Sequence, residues 1–287
     1  MSAPGQPSSK VAFQGDYGAF SEDAARKLVG REAVTVPFRK FDEMFEAVST
    51  ARADAAIVPI ENSLAGSVHQ NYDLMMEHDL TIVGETYLRI VHNLIAAPGV
   101  PLSGIRRVYS HPVALAQCGK FLRANKQIEA EAAYDTAGSV RMVMASSSRT
   151  DAAIAGHSAA AFYGAEVLAE GIEDNPQNFT RFLLLTRSGI SIQLAAPLET
   201  ERRKTSIVFR VANTPGALYK ALAAFALRDV DLCKIESRPI EGRPWEYSFY
   251  LDFAGDQKDA RVDRAIAQLA ETAESIRVLG SYPSASY

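Results

Sequence analysis

Cysteine is scarce: Cys118 and Cys233 are the two in 287 residues, far apart and in no Cys-x-x-Cys pair. That excludes a disulfide framework, and both thiols are expected to be buried and reduced, as in a cytosolic protein. Long apolar runs are missing too, so no segment is expected to span a bilayer. No block of Lys or Arg breaks a formal net charge of -4, which disfavours non-specific binding to nucleic acid or anionic lipid. The five histidines, at 69, 78, 92, 111 and 157, show no His-Glu-x-x-His or other metal-ligand spacing, and no metal is expected. Gly15 and Gly18 lack the spacing of a dinucleotide fingerprint, and no P-loop follows. The first ten residues are rich in Ser, Pro and Gly and hold one lysine. They fit neither a signal nor a transit peptide and are expected to form a short disordered tail.

The remainder is ordinary globular sequence, 47% hydrophobic and 22% charged, long enough for one large or two medium domains with a substantial core. Residues 10–187 alternate short apolar runs with amphipathic helical spacing. Val11-Ala12-Phe13, Val34-Thr35-Val36 and Ala55-Ala56-Ile57-Val58 read as strands. Helices are expected between them, opened by Ser21 and Asp42. The grammar restarts at Arg107-Val108-Tyr109 and continues through Ala152-Ala153-Ile154. This βαβαβ order, met twice, predicts two similar α/β lobes, each around a parallel sheet. The strand-like run 80–97 would carry the chain from one lobe to the other, and the run 182–185 would return it, leaving a cleft between the lobes. Residues 188–203 lack periodicity and read as a linker. From 204 to 283 the order becomes βαββαβ, the ferredoxin-like arrangement.

Polar clusters fall where predicted strands end and helices begin: Glu61-Asn62-Ser63, Ser110-His111-Pro112 and Asp135-Thr136-Ala137-Gly138-Ser139. Ligands bind at such ends in open α/β sheets, and helix N-termini there present N–H groups suited to carboxylates. Any one of these Ser, Asp or Thr residues is more often only a helix cap. Asn178-Phe179-Thr180-Arg181-Phe182 precedes the last apolar run. It reads either as a turn or as a hydroxyl and a guanidinium delivered to the cleft mouth. Of the histidines, His111 alone is placed at a strand end; His69 and His78 are expected on a solvated helix face.

These motifs together resemble the prephenate dehydratase family, including the plant-type and bacterial arogenate dehydratases. The resemblance rests on Gly18-Ala19-Phe20-Ser21, Pro59-Ile60-Glu61-Asn62-Ser63 with Gly66, Ser110-His111-Pro112 with Gln117-Cys118, Asp135-Thr136-Ala137 and Asn178 to Phe182. Gly216-Ala217-Leu218 and Glu236-Ser237-Arg238-Pro239 resemble the two effector motifs of the family's ACT domain. Val113 departs from the glutamine usual after His-Pro. The resemblance implies a two-lobed, type II periplasmic-binding-protein-like catalytic unit (10–187) and an ACT regulatory domain (204–283). It also implies a cytoplasmic homodimer or homotetramer and chemistry without metal or organic cofactor.

By the same resemblance Thr180 donates to the leaving hydroxyl of prephenate, with His111 as the rival acid. Arg181 organises the site or binds a carboxylate, and Phe182 packs the ring or the cleft wall. Ser21, Glu61, Asn62, Ser63, Ser110, Thr136 and Ala137 would hold substrate, and Gln117 would support them. Phenylalanine would bind between paired copies, with Asn213, Ala217 and Leu218 on one wall of its pocket and Glu236, Ser237 and Arg238 on the other. Two rival expectations stand: an arogenate dehydratase making phenylalanine directly, and a non-catalytic two-lobed anion-binding protein with an amino-acid sensor attached. The runs 71–74 and 79–85 and the change at Val113 lean toward the plant-like subgroup.

Overall fold

The computed structural model describes residues 9–146, 148–195 and 202–286; the expected tail and the middle of the expected linker lie outside them. The first lobe comprises β1 (Lys10–Gln14), α1 (Phe20–Val29), β2 (Val34–Phe38), α2 (Phe41–Ser49), β3 (Ala55–Asn62), β4 (Gly66–Ser67), α3 (His69–Glu77) and β5 (Leu80–Arg89). The second holds β6 (Asn93–Ala96), β7 (Arg107–Ser110), α4 (Pro112–Gln117), α5 (Gly119–Ala124), β8 (Glu129–Ala132), α6 (Thr136–Ser146), β9 (Asp151–Ala155), α7 (His157–Tyr163) and β10 (Glu166–Ala169). The chain then re-enters the first lobe as β11 (Phe179–Arg187), giving sheet orders β2-β1-β3-β11-β5 and β10-β6-β9-β7-β8.

The two orders are the same. In each lobe the first strand of the βαβαβ unit pairs in parallel with the second and third. In each, the strand arriving from the other lobe lies antiparallel to the third. This is the two-lobed, periplasmic-binding-protein-like arrangement. Its crossings differ from expectation. The run 80–97 is two strands broken at residues 90–92, and the return is made by 170–178. The run 182–185 lies inside a strand of the first sheet. Two helix starts also shift. Ala19, not Ser21, caps α1, and α2 begins at Phe41 with Asp42 in its first turn. No side chain completes that cap at α1; the Glu22 carboxylate instead reaches back past the helix start and accepts the Gly18 N–H at 2.7 Å. Gly18 has φ +83° and lies where a Cβ would come within 2.5 Å of Ala159 of the other lobe, so the lobes meet there backbone to backbone.

The C-terminal unit is β12 (Arg203–Val211), α8 (Ala217–Ala226), β13 (Leu232–Ile240), β14 (Arg243–Ala254), α9 (Ala260–Ala270) and β15 (Ala273–Pro283), an antiparallel sheet in the order β13-β14-β12-β15. Alternation along β12 splits its side chains. Ile207 and Phe209 join Phe225, Leu251 and Leu269 under the helices. Val208, with Tyr250, Leu279 and Tyr282, enters the first lobe's core beside Met44, Ile60 and Ile82. The two units therefore share one hydrophobic core. Gly280 of β15 lies against the backbone carbonyl of Ile82, where a Cβ would overlap it. Gly280→Ala should force β15 off β5 at about 1–3 kcal/mol, the usual range for overpacking, read as a lower thermal midpoint.

Cys118 is buried as expected, and burial pushes its thiol up to about 12. Cys233 is exposed on β13, contrary to expectation.

Candidate active site

β11 is a strand from Phe179 onward, hydrogen-bonded to β3 on one side and β5 on the other, so the expected turn at Asn178 to Phe182 is absent. Its residues alternate. Thr180 and Phe182 lie on one face and Arg181 on the other, which separates three residues expected to act together. The register between β11 and β3 shifts once: Arg181 pairs with Glu61 and Phe182 with Pro59, leaving Ile60 as a bulge. A bulge re-aims the side chains next to it. Here the bulge sets Asn62 beside Thr180 and Glu61 beside Arg181.

Asn62 is the centre of the first face. Its Oδ1 accepts the N–H groups of Leu64 (3.0 Å) and Ala65 (2.8 Å). Its Nδ2 donates to Asn178 Oδ1 (2.7 Å), the Phe179 carbonyl (3.2 Å) and Thr180 Oγ1 (3.0 Å). Gln117, from α4 of the second lobe, donates to Asn62 Oδ1 at 3.4 Å and accepts from Asn178 Nδ2 at 2.9 Å. Ser63 Oγ donates to the Gln177 carbonyl and accepts the Phe179 N–H, both at 3.0 Å. Thr180, Asn62, Ser63 and Gln117 thus lie together at the junction of β3, β11 and α4. Asn178, the first residue of its motif, joins them, and so does His92, which no motif announced. His92 lies in the first crossing, 2% exposed, with Nε2 2.9 Å from Gln117 Oε1. Burial lowers its pKa below the ordinary histidine value, only partly opposed by Gln117 and Glu173.

Other expected site residues are placed differently. Ser110 is fully buried and donates to the Ile154 carbonyl at 2.6 Å, tying β7 to β9. His111 is exposed and caps α4, its Nδ1 accepting the Val113 N–H at 3.3 Å. Asp135 accepts the Gly138 N–H at 2.5 Å, so the start of α6 is already capped. Thr136 is half-buried there, whereas Ala137, Phe182 and Ser21 are buried, the first two in the core between the lobes. The anion-binding amides expected at these helix starts are largely taken by local caps. A 500 Å³ cavity opens between the ends of β1, β2 and β8, lined by Asp16, Arg39, Tyr134, Asp135 and Arg141 among others; Thr180, Asn62 and Ser110 are not in its wall.

The second face points at the C-terminal unit. Arg181, 5% exposed, donates from Nε to Glu85 Oε2 (2.8 Å), from Nη1 to Asp252 Oδ2 (2.5 Å) and from Nη2 to Tyr282 OH (3.0 Å). Lys204 Nζ donates to Glu85 Oε1 at 2.8 Å, and Ser206 Oγ to Asp252 Oδ1 at 2.5 Å. Two cations face two carboxylates in a largely buried interface. The expectation that Arg181 faces the cleft is therefore wrong. Glu61 likewise turns away, to Lys234 Nζ at 3.0 Å. The effector motif follows the same pattern. Glu236 bonds Ser67, and Arg238 pairs with Asp73 at 2.7 Å, while Ser237 is exposed on the other side of β13. Asn213 donates to the Trp245 carbonyl at 3.3 Å, and Ala217 and Leu218 begin α8 on the helical side of the sheet. Within one chain the two expected pocket walls do not converge.

Residues 11–189 match the family model described as prephenate dehydratase, and 205–271 match the ACT domain. The Arabidopsis thaliana protein named arogenate dehydratase/prephenate dehydratase 2, chloroplastic, is 44% identical over 96% of this chain and 72% of its own length. The chain belongs to the prephenate dehydratase family. Among solved structures, a prephenate dehydratase from Arthrobacter aurescens in complex with L-Phe superposes with a TM-score of 0.86, 36% identical, covering 96% of this chain and 90% of that one. GqqA, described as a novel type of quorum quenching acylase, gives the same TM-score of 0.86 and 36% identity over 96% of this chain and 98% of its own. Among the described residues no helix is long and apolar enough to cross a membrane.

Against that prephenate dehydratase framework, the sequence reading missed His92 and gave Asn178 no role within its motif, because it searched strand-to-helix ends. Both lie in the crossings between lobes, which belong to neither. The signal available was that a cleft enzyme's crossings line its cleft floor.

Proposed function

We propose that this chain catalyses the decarboxylating dehydration of prephenate to phenylpyruvate, under feedback by phenylalanine at its C-terminal domain. Residues 10–187 form the catalytic unit and 204–283 the regulatory one, in a cytoplasmic homo-oligomer. The observation that carries this reading is the direction of one hydrogen bond. Thr180 Oγ1 accepts from Asn62 Nδ2, so its own proton remains to be donated.

In the reaction the C–C bond to the ring carboxylate breaks and CO2 departs. The released electron pair moves through the ring diene and expels the hydroxyl on the opposite carbon. That hydroxyl leaves as water once a proton reaches it. Thr180 supplies a positioned donor to that oxygen; a threonine hydroxyl is too weak an acid to do more unaided. The amide groups around it are neutral, so nothing in the cluster grips the ring carboxylate electrostatically, and its loss is not penalised. Exposed His111, already bonded to its own helix start, is a poorer candidate. His111→Ala should leave kcat near the parent value.

Regulation has a short route. Glu236 on Ser67, Lys234 on Glu61 and Arg238 on Asp73 join the effector motif to the segment that carries Asn62. An effector that binds one arrangement of β13 better than another shifts the cleft by that differential affinity. The free edge of β13, with Ile235 44% exposed and Trp245 of the adjoining hairpin 78% exposed, suits pairing with a second copy. Arogenate is the second reading, favoured by the plant relative's double name.

The test is a parallel assay with prephenate and arogenate, following phenylpyruvate by absorbance and phenylalanine by chromatography, with and without added phenylalanine. Phenylpyruvate formation suppressed by phenylalanine is expected. A strong preference for arogenate would transfer the chain to the sister activity. No product from either would overturn the dehydratase reading and leave the non-catalytic anion-binding one.

A further inference from the structure

The hydrogen-bond directions around Thr180 are fixed from outside, and they lead to His92. Asn62 Oδ1 receives two backbone N–H groups, so it is the oxygen, and Nδ2 faces the Phe179 carbonyl, so it is the nitrogen. Asn178 must then present Oδ1 to Asn62 and Nδ2 to Gln117. Gln117 Oε1 therefore accepts from Asn178 and faces His92 Nε2, which must donate. His92 is thereby held as the Nε2–H tautomer. Its Nδ1 is buried and meets no hydrogen-bonding group, and its ring lies edge-on to Phe20 with centroids 5.8 Å apart. A ring so enclosed resists charging, which keeps one donor in one place.

The chain of bonds runs through four parts of the fold. His92 lies in the first crossing, Gln117 in the second lobe, Asn178 in the return crossing, and Asn62 and Thr180 in the first lobe. We propose that His92 is a positioning residue for the dehydration: it fixes Gln117, which through Asn178 and Asn62 holds the Thr180 hydroxyl pointing its proton into the cleft. Without that donor, Gln117 is held only by Asn178 Nδ2 and the longer contact to Asn62 Oδ1, and its side chain can swing away from them. A Gln117 that swings away releases Asn178 Nδ2, and with it the alignment of Asn178 Oδ1 on Asn62 Nδ2. Asn62 Nδ2 would then compete differently for Thr180. The effect lies in the alignment of a reacting group and belongs in kcat.

This inference rests on the dehydratase reading, and the experiment separates the two. Parent turnover of prephenate or arogenate is measured first; its absence removes the function itself. Given turnover, His92→Phe keeps the ring and the Phe20 contact but removes the donor. It should lower kcat on the order of 10²-fold with KM little changed, the scale seen when a reacting group is misplaced by about 1 Å. His92→Gln places an Nε2 donor near the same point and should restore most of the parent kcat. If His92→Phe gives no cooperative melting transition, His92→Leu carries the same expectation. Folded His92→Phe or His92→Leu with the parent kcat would overturn the inference. So would His92→Gln losing as much kcat as His92→Phe, since His92 would then be only a packing residue.

Discussion

Replacing Thr180 by Val should lower kcat by roughly 10²- to 10⁴-fold, the range for loss of a positioned proton donor, and leave KM near the parent value. Valine keeps the shape and the β-branch that suit a strand paired on both sides. What is lost is one oxygen: the acceptor for Asn62 Nδ2 and the donor to the leaving hydroxyl. Asn62 retains Asn178 and the Phe179 carbonyl, so the local fold should persist. Steady-state kinetics on the purified variant, with its melting curve beside the parent's, separate the chemical loss from a structural one. A near-normal kcat would return the donor's role to His111.

Arg181→Met should act in the opposite way, costing stability while sparing both kcat and KM. Removing one partner of a buried charge pair typically costs about 3–5 kcal/mol, because the stranded charge stays desolvated. Here Glu85 is fully buried and would keep Lys204, while Asp252 would keep the Ser206 hydrogen bond and only the more distant charge of Lys204. The thermal midpoint should fall by several degrees, and adding Asp252→Asn to the Arg181→Met variant should recover part of it. The pH dependence comes from the same contacts. Burial pushes the Asp252 carboxyl up, but Arg181 and the Ser206 hydrogen bond outweigh it and hold it below the usual carboxylate value. The unfolded chain then binds more protons than the folded one across that interval. The pair's stability is present above about pH 4 and lost as pH falls through the lowered value. Melting curves from pH 7 to 3 should show this acid-side loss in the parent and a weaker one in Arg181→Met. A raised KM with an unchanged melting curve would instead mean that Arg181 binds substrate.

The doubled βαβαβ order was legible because strands buried on both faces read as unbroken apolar runs, such as Ala55-Ala56-Ile57-Val58. The ferredoxin-like unit was legible from its spacing. The faces of the site were not. Reading Thr180 and Arg181 as delivered together to the cleft mouth overlooked the strand alternation that sends them opposite ways. No local pattern announces the bulge at Ile60, which depends on the register of two strands more than a hundred residues apart. Glu85, Lys204 and Asp252 look like ordinary surface charges in sequence, and Arg181 like a residue of the site. Only the docking of the C-terminal sheet on the first lobe buries them. Ser110 and Asp135, by contrast, went to the structural roles that Ser and Asp most often take at strand and helix ends.

The most direct test tracks prephenate carrying ¹³C in its ring carboxylate by NMR, with parent enzyme and with Thr180→Val. Labelled CO2 and bicarbonate should grow one-for-one with phenylpyruvate in the parent, and both should slow together by the kcat ratio in the variant. Label retained on the ring while the parent enzyme is folded, or label released by Thr180→Val at the parent rate, would contradict decarboxylating dehydration assisted by Thr180.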